Sequence, residues 1–495
     1  MRRPWLLAAA LAAAAIAVAT VALVRDNPPA EANPAGFPGN PEGHKPLIFD
    51  IGLLAGESSR GGLQEAHSLG ADAIRVLVPW NLVAPVTKPA DFRPGDPLDP
   101  HYDFESFDIA LREVERLGMR IVLSPAGPAP EWASTPGSGG LANPDPDQFG
   151  EFVSALAKRY GGHFRPKPGA PTLPAADVWA IWNEPNLTIF LQPQFRHGRP
   201  YSPLLYRELY LSAQRAIHDQ DSGAPILIGE TAPTGGLDGV NPLTFTRQTF
   251  CLTGDFEDLP RCPRPDEDID AVGWSAHPYP LAGQPPFQPV TNPHFVTMSS
   301  LSALELTLDG ISGTDRLPST FPIYITEFGV QSYPDPNAVS LQQQASYIAI
   351  AEHFAYNDPR VATFAQYLLA DDSPQAVPGQ LYGGFESGLR FFDGGKKPAY
   401  DAFRLPLAVQ QLGGTVSVWG LVQPYPHPTT VKIRFKNPGQ APKNLQSVAT
   451  NEVGIFTTTY GDFPERLWQV IWHSPLDGHT YRSPWIRSYE FAAPQ

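Results

Sequence analysis

Short apolar runs alternate with amphipathic, helix-like segments through most of the chain. Eight runs have the length and the β-branched or aromatic content of buried strands. The segments between them carry apolar residues three and four positions apart, as in residues 107–117, which are followed by Gly118, a residue type that favours helix ends. The predicted strands are residues 47–54, 73–78, 120–124, 178–182, 226–229, 271–275, 323–326 and 362–369.

This alternation predicts an α/β fold, a (β/α)₈ TIM barrel with insertions over residues 47–408. A doubly wound open sheet would give the same alternation. It is disfavoured because no glycine-rich dinucleotide fingerprint follows the first strand. The other predicted helices lie near residues 149–160, 204–218, 301–308 and 341–354.

The pattern changes after about residue 408, where no helix-like segment remains. Short β-rich runs at residues 415–420, 430–435, 454–459 and 468–472 are separated by Pro, Gly and Asn turns. This spacing predicts that residues 409–495 form an all-β sandwich, an accessory domain appended to the barrel.

Residues 1–25 are expected to direct export, and residues 26–46 are expected to link them to the folded part. Arg2 and Arg3 precede an apolar run over residues 5–24, so residues 1–25 are predicted to be a signal peptide or an N-terminal membrane anchor. Both alternatives stay open because the run is long enough to span a bilayer. Residues 26–46 are rich in Pro, Gly and Asn and are predicted to be a spacer. The protein is therefore expected to be secreted or held at the cell surface.

Composition and charge limit the kinds of molecule that the protein is expected to bind. With 50 acidic and 35 basic residues, the formal charge of −15 opposes binding to nucleic acid or to anionic lipid surfaces. Cys251 and Cys262 would form one local disulfide in an exported protein, or remain two free thiols. No Cys and His residues have zinc-site spacing, so no metal site is predicted. Nothing in the sequence indicates the oligomeric state.

Two glutamates carry the candidate chemistry. Glu184 follows the apolar run 178–182 and precedes Pro185, and Glu327 follows the run 323–326 and precedes a turn at Gly329. In a (β/α)₈ barrel the carboxyl ends of the strands meet at one mouth, so both side chains are expected there. Cleavage of a glycosidic bond needs two carboxyl groups that face one bond, one as a proton donor and one as a nucleophile or base.

The two motifs also carry a family resemblance. Trp-Asn-Glu-Pro-Asn at residues 182–186 and Ile-Thr-Glu-Phe-Gly at residues 325–329 lie on the fourth and seventh predicted strands. They resemble clan A of the retaining glycoside hydrolases, especially families 39 and 5, over roughly residues 47–405. The resemblance implies that Glu184 is the acid/base, that Glu327 is the nucleophile, and that neither a metal nor an organic cofactor is required.

Further positions match the clan individually. Arg75 resembles the arginine that keeps the nucleophile ionised, and Asn183 resembles the residue that contacts the sugar 2-hydroxyl. His277 and Tyr279 resemble a pair that flanks the nucleophile. Glu230, at the end of the fifth strand, is a third mouth carboxylate, for which we expect a hydrogen-bonding role. Glu131 and Glu386 are weaker carboxylate candidates.

Aromatic residues near strand ends are candidate sugar platforms, because such rings stack on sugars as well as filling cores. Trp80, Trp132 and Tyr367 are assigned here as substrate-binding. The loop after strand three contains Glu-Trp-Ala at residues 131–133 and looks more like family 39 than family 5. Strand eight of the clan normally supplies a Trp, and Tyr367 is expected to replace it.

The expected function is therefore that of an exported retaining glycosidase that cleaves O-glycosidic bonds of an oligo- or polysaccharide. Two alternatives share the fold, a non-catalytic carbohydrate-binding protein of the cell surface and a transglycosylase. A serine hydrolase is disfavoured because the sequence has no Gly-x-Ser-x-Gly elbow.

Overall fold

The structure is a computed structural model that describes residues 43–50, 52, 59–377, 379–424, 427–463 and 465–491. The predicted leader and nearly all of the predicted spacer lie outside these residues. Among the helices of the described part, none is both long and apolar enough to cross a bilayer.

Eight parallel strands close into a barrel, as predicted, and each predicted run supplies one of them. Around the barrel the order is β1, β2, β3, β4, β7, β8, β9 and β10, which pairs again with β1. The strands are nearly continuous in buried residues, because helices cover the outside of the barrel. Their bounds are β1 Leu47–Asp50, β2 Ala73–Pro79, β3 Arg120–Ala126, β4 Val178–Ala180, β7 Ile226–Thr231, β8 Gly273–Ala276, β9 Ile323–Ile325 and β10 Val361–Tyr367.

Two of the helices begin at side chains that cap them. Asp145 accepts hydrogen bonds from the backbone N–H groups of Asp147 and Gln148, and Ser340 forms a capping box with Gln343. The helices are α1 Ser59–Ser68, α2 Trp80–Val83, α3 Glu105–Arg116, α4 Pro146–Arg159, α5 Ser202–His218, α6 Pro242–Thr249, α7 Leu301–Ser312, α8 Leu341–Asn357 and α9 Pro398–Phe403. Two 3₁₀ turns, Glu131–Ala133 and Met298–Ser300, and a small hairpin of β5 Phe195–Arg196 and β6 Arg199–Pro200 complete this part.

The C-terminal part consists of two antiparallel sheets, which confirms the predicted sandwich. One sheet has the order β11-β12-β15, and the other has the order β14-β13-β16-β17 with β18 also paired to β16. The first strand begins at Leu407, two residues before the predicted domain start. The bounds are β11 Leu407–Gln411, β12 Thr415–Leu421, β13 Thr430–Lys436, β14 Lys443–Ala449, β15 Ile455–Gly461, β16 Leu467–His473, β17 Thr480–Arg482 and β18 Ile486–Arg487.

The sandwich packs on α8 of the barrel through a small apolar cluster that includes Ile350, Trp419 and Tyr489. Polar groups are buried in the same contact: Nδ1 of His353 lies 2.9 Å from the hydroxyl of Tyr489. Glu352, only 1% exposed, accepts a hydrogen bond of 2.9 Å from the Gln423 side chain. Its other carboxylate oxygen has no hydrogen-bond partner among the described residues.

Glu352 makes this contact sensitive to pH. Burial raises the pKa of Glu352 to about 8, although the hydrogen bond from Gln423 acts in the opposite direction. Between the ordinary pKa of a glutamate and pH 8, the unfolded chain has lost this proton and the folded protein retains it, so stability falls as the pH rises. We expect Glu352→Gln to match the wild type at pH 5 and to exceed it at pH 8 by on the order of 3 kcal/mol.

Urea unfolding at the two pH values measures this difference. The exposed Glu452 offers a matched control, since Glu452→Gln removes a carboxylate from the sandwich surface without uncovering a buried group. A Glu352→Gln variant whose stability relative to the wild type is the same at pH 5 and pH 8 would contradict the assignment.

Candidate active site

Glu184 and Glu327 meet at the mouth formed by the carboxyl ends of the barrel strands. Glu184 follows β4, and Glu327 follows β9, on the opposite wall. One carboxylate oxygen of Glu184 lies within 4.8 Å of one carboxylate oxygen of Glu327. Glu327 is 8% exposed and Glu184 is partly buried, so both groups border the mouth.

The backbone beyond β4 adopts an unusual conformation that turns Glu184 into the mouth. Trp182 and Glu184 have φ values of +75° and +41°, in the left-handed region that non-glycine residues seldom adopt. The N–H of Glu184 donates a hydrogen bond of 2.8 Å to the carbonyl of Glu230. Asn186, fully buried, accepts from the N–H of Ala232 at 2.9 Å. The loop after β4 is thereby attached to the loop after β7.

Glu230 is aimed inward by an irregularity in β7. The pairing of β7 with β8 shifts register between Ile228 and Thr231, and Glu230 has a φ of +50°. Gly229 has a φ of +119°, and a Cβ there would come within 2.6 Å of the Trp274 ring, so this turn requires glycine. The Glu230 carboxylate accepts hydrogen bonds from the hydroxyls of Ser275 and Thr326.

Arg75, on β2, is the hub of the site and is 1% exposed. Its guanidinium donates to Glu327, to Glu230 and, at 2.9 Å, to Asp50. It also donates a hydrogen bond of 2.7 Å to the side-chain oxygen of Asn183. One cation therefore neutralises part of the charge of three buried carboxylates and orients the amide beside Glu184.

These contacts set the charge states of the buried groups. Burial alone would raise the pKa of Glu230, but Arg75, His277 and the Ser275 hydroxyl hold it well below its usual value. Burial raises the pKa of Asp50 to about 6, and the adjacent Arg75 opposes this rise. Glu230 is consequently a permanent anion at neutral pH, suited to a supporting role and not to proton transfer.

His277, which follows β8, bridges the glutamates. Its Nδ1 lies 3.0 Å from Glu184 and 3.5 Å from Glu327, and its Nε2 lies 3.4 Å from Glu230. Burial would lower the pKa of His277, but the three carboxylates, Glu327 foremost, raise it to about 10. The imidazole is therefore a second cation, between the two candidate catalytic groups.

Glu327 is held on both sides. One oxygen accepts from Arg75, and the other accepts a hydrogen bond of 2.9 Å from the Tyr279 hydroxyl. Gly329 allows the following backbone to pass the carbonyl of Tyr367, which a Cβ would approach to 2.3 Å. These two donors fix the orientation of the Glu327 carboxylate beside the mouth.

The aromatic wall of the mouth differs from the one predicted. The ring of Tyr367 lies edge-on to Phe385, with centroids 5.0 Å apart, and Tyr279 lies 6.4 Å from the same Phe385. The Tyr367–Leu368 peptide bond is cis. Trp80 is fully buried and stacks on Phe152, so it is a core residue and its assignment to substrate binding is corrected.

The remaining predicted residues lie outside this cluster. Trp132 is partly buried beside Trp80, and its indole N–H donates to the carbonyl of Pro85. Glu131 accepts hydrogen bonds from the N–H groups of Gly137 and Gly139 and so stabilises a loop. The structure pairs Cys251 and Cys262 in a disulfide, with Cα atoms 5.6 Å apart.

Asp50 and Phe385 belong to the site but are not among the predicted residues. Asp50 is the last residue of β1 and lies within a run predicted to be a buried strand. A charged residue inside an otherwise apolar run is the sequence feature that could have marked it. Phe385 lies on the long loop after β10, where no sequence period distinguishes it from its neighbours.

Glu184, His277 and Glu327 form the single group in the described part of the chain with three metal-ligand atoms within 4.8 Å of one another. Two features oppose a cation there. Arg75 already occupies one oxygen of Glu327, and His277 is protonated at neutral pH, whereas a metal requires neutral imidazole. These three side chains are therefore better suited to acid/base and nucleophilic catalysis by the two carboxyl groups than to metal binding.

Comparisons with known proteins find only distant structural similarities. No family model matches the sequence, and no curated protein matches it. The structure is similar to a glucosidase from Croceicoccus marinus (TM-score 0.49, 12% identity, 87% of this chain and 96% of that chain). It is also similar to a GH39 enzyme from Xanthomonas axonopodis pv. citri (TM-score 0.49, 14% identity, 89% and 94%) and to a monomeric β-xylosidase from Caulobacter crescentus CB15 (TM-score 0.48, 14% identity, 89% and 99%). All three likenesses are distant.

Proposed function

We propose that the protein is a retaining glycoside hydrolase acting on O-glycosidic bonds of an oligo- or polysaccharide. The observation that carries this proposal is the separation of the two glutamates, whose nearest oxygens lie within 4.8 Å. Retaining enzymes hold their carboxyl groups about 5–5.5 Å apart, whereas inverting enzymes need about 6.5–9.5 Å to admit a water molecule.

The roles of the two glutamates follow from their partners. Glu327, fixed by Arg75 and Tyr279, attacks the anomeric carbon and forms a glycosyl ester while the glycosidic C–O bond breaks. Glu184 gives its proton to the departing oxygen. Glu184 then takes a proton from water, the water oxygen bonds to the anomeric carbon, and Glu327 leaves as a carboxylate.

The surrounding residues serve this reaction by position and charge. Asn183, oriented by Arg75, is placed to hydrogen-bond a sugar hydroxyl beside Glu184. His277 supplies a fixed positive charge between the glutamates as negative charge moves from Glu327 towards the leaving oxygen. Both carboxylates keep the neighbours that hold them, Arg75 and Tyr279 for Glu327 and His277 for Glu184. This favours an enzyme over a non-catalytic binding protein on the same barrel.

Product stereochemistry tests the proposal. We expect wild-type protein, screened against nitrophenyl glycosides and polysaccharides, to release a sugar whose first-formed anomer has the configuration of the substrate, as followed by proton NMR during the first minutes. Release of the opposite anomer would show an inverting reaction and would refute the two-step mechanism.

We also propose that the protein is exported. Arg2 and Arg3 before the apolar run 5–24 support this, and so does the disulfide between Cys251 and Cys262, a bond that persists in oxidising compartments. Fractionation of expressing cells measures it, and recovery of the full chain with its thiols reduced in the cytoplasmic fraction would contradict it.

A further inference from the structure

A second cavity lies on the same face of the barrel, between the loops that follow β9 and β10. Its volume is about 210 Å³, and carboxylates and aromatic rings line it. This is less than the ~300–1,000 Å³ of pockets for drug-sized ligands, and it suits one sugar ring. We call it the Glu386 cavity, and its lining includes Asp371, Asp372, Tyr382, Glu386, Phe392 and Asp393.

Glu386 is the unusual group in this cavity. It is 1% exposed, and neither of its carboxylate oxygens has a hydrogen-bond partner among the described residues. One oxygen of Asp371 is likewise buried without a partner. A buried carboxylate without donors is unfavourable by itself, so the arrangement indicates a ligand that supplies donors or positive charge.

The backbone around Glu386 is fixed, so the carboxylate cannot readily turn away. Its N–H donates to the side-chain oxygen of Gln331, and its carbonyl accepts from the amine of Lys397 at 2.9 Å. The same amine donates to Asp371 at 2.6 Å and to Ser332 at 3.0 Å. The three bonds of Lys397 thus use its donors on groups other than the Glu386 carboxylate.

The charge of the cavity is strongly unbalanced. Four carboxylates line it, and Lys397 is the cation bonded to one of them. Burial, with the negative charges of Asp371 and Asp335, raises the pKa of Glu386 to about 7. A bound cation would lower this pKa and would compensate the excess charge.

We propose that the Glu386 cavity is a secondary subsite for a sugar unit that carries a protonated amino group. The ammonium would lie against Glu386 and the unpartnered oxygen of Asp371, and the ring would pack against Tyr382 and Phe392. Charge-assisted hydrogen bonds are the strong ones, and aromatic faces attract both sugar rings and cations. A uronic acid would be repelled by the same carboxylates.

A bare divalent cation fits the cavity less well. Calcium requires six to eight oxygens at about 2.3–2.6 Å, which places neighbouring ligand oxygens close together. Within the described part of the chain, no three acidic side chains of this cavity have oxygens within 4.8 Å of one another. The aromatic walls favour an organic ligand instead.

The position of the cavity connects it with the proposed reaction. Phe385 packs on Tyr279 and Tyr367 in the catalytic mouth, while the next residue, Glu386, lines the second cavity. A substrate chain leaving the mouth along this loop would reach the cavity with another of its sugar units. The choice of a sugar as the ligand rests on the proposed glycosidase function.

Direct binding tests the subsite without requiring catalysis. We expect glucosamine, titrated into full-length protein at pH 7 by calorimetry, to bind at least about tenfold more tightly than glucose. Glu386→Gln removes the charge and keeps the shape, so it is expected to reduce this preference to within about twofold. Phe392→Ala, at a residue 59% exposed and therefore safe for folding, is expected to weaken binding of both sugars.

Glu352→Gln is the matched control, because it also removes a buried, incompletely partnered carboxylate but lies in the sandwich contact. It should leave glucosamine binding unchanged. Equal affinity for glucose and glucosamine, or a preference that survives in Glu386→Gln, would overturn the assignment, and so would calcium chloride binding that depends on Glu386. If the wild type cleaves no glycoside while the Glu386-dependent preference holds, the proposed reaction fails and the cation site stands.

Discussion

Replacing Glu327 by glycine will lower hydrolysis by about 10⁴-fold or more, because the group that forms the glycosyl ester is lost. Sodium azide will restore turnover of an activated dinitrophenyl glycoside. The azide ion will occupy the space of the missing carboxylate and attack the anomeric carbon from that side. The product will be a glycosyl azide whose configuration is opposite to that of the substrate, which NMR of the purified product identifies.

Glu184→Gly supplies the matched comparison, since Glu184 has a φ of +41° that glycine adopts readily. Here Glu327 still forms the ester when the leaving group needs no proton, and azide replaces the activated water on the other face. The glycosyl azide will therefore keep the configuration of the substrate. Exchange of the two configurations between the variants would reverse the assigned roles, and the absence of both azides would remove the covalent mechanism.

The barrel was predictable from sequence because each strand is buried on both sides. Such strands appear as continuous apolar runs, and their carboxyl ends meet at one mouth. The sequence alone therefore predicts that Glu184 and Glu327 lie close together. The sandwich was less visible. β14 is exposed along almost its whole length, and β18 has two residues, so neither has an apolar period that marks a strand.

The hydrogen bonds and ion pairs of the site are harder to predict from sequence, because they join residues on different strands of the barrel. Arg75 lies 155 residues from Glu230 and 252 residues from Glu327 along the chain, and only closure of the barrel makes them neighbours. Asp50 was hidden inside a strand-like run. The sequence does not reveal that Trp80 is a core residue, because a tryptophan near a strand end has the same local sequence whether its ring points to the core or to the mouth.

Replacing Arg75 by methionine will lower the free energy of unfolding by about 3–5 kcal/mol, as expected when one partner of a buried ionic cluster is removed. Asp50, Glu230 and Glu327 would then share a buried region without the guanidinium between them. Arg75→Lys will recover only part of the loss, because one ammonium cannot span the four groups that the planar guanidinium contacts. Urea unfolding followed by tryptophan fluorescence measures both variants.

A second change separates loss of charge balance from loss of packing. Arg75 stabilises the charged form of Glu230 more than any other neighbour does. Burial alone would raise the pKa of Glu230, and Arg75 is the largest of the causes that lower it. In the Arg75→Met background, Glu230→Gln removes a buried charge that has lost its main cationic partner. The stability lost by the double variant should therefore be smaller than the sum of the two single losses by at least about 1 kcal/mol. Arg316→Met, which breaks a pair with Asp258, whose side chain is 86% exposed, should change stability little. If the stability losses of the Arg75 and Glu230 variants are strictly additive, then Arg75 stabilises the protein through its packing and not through its charge.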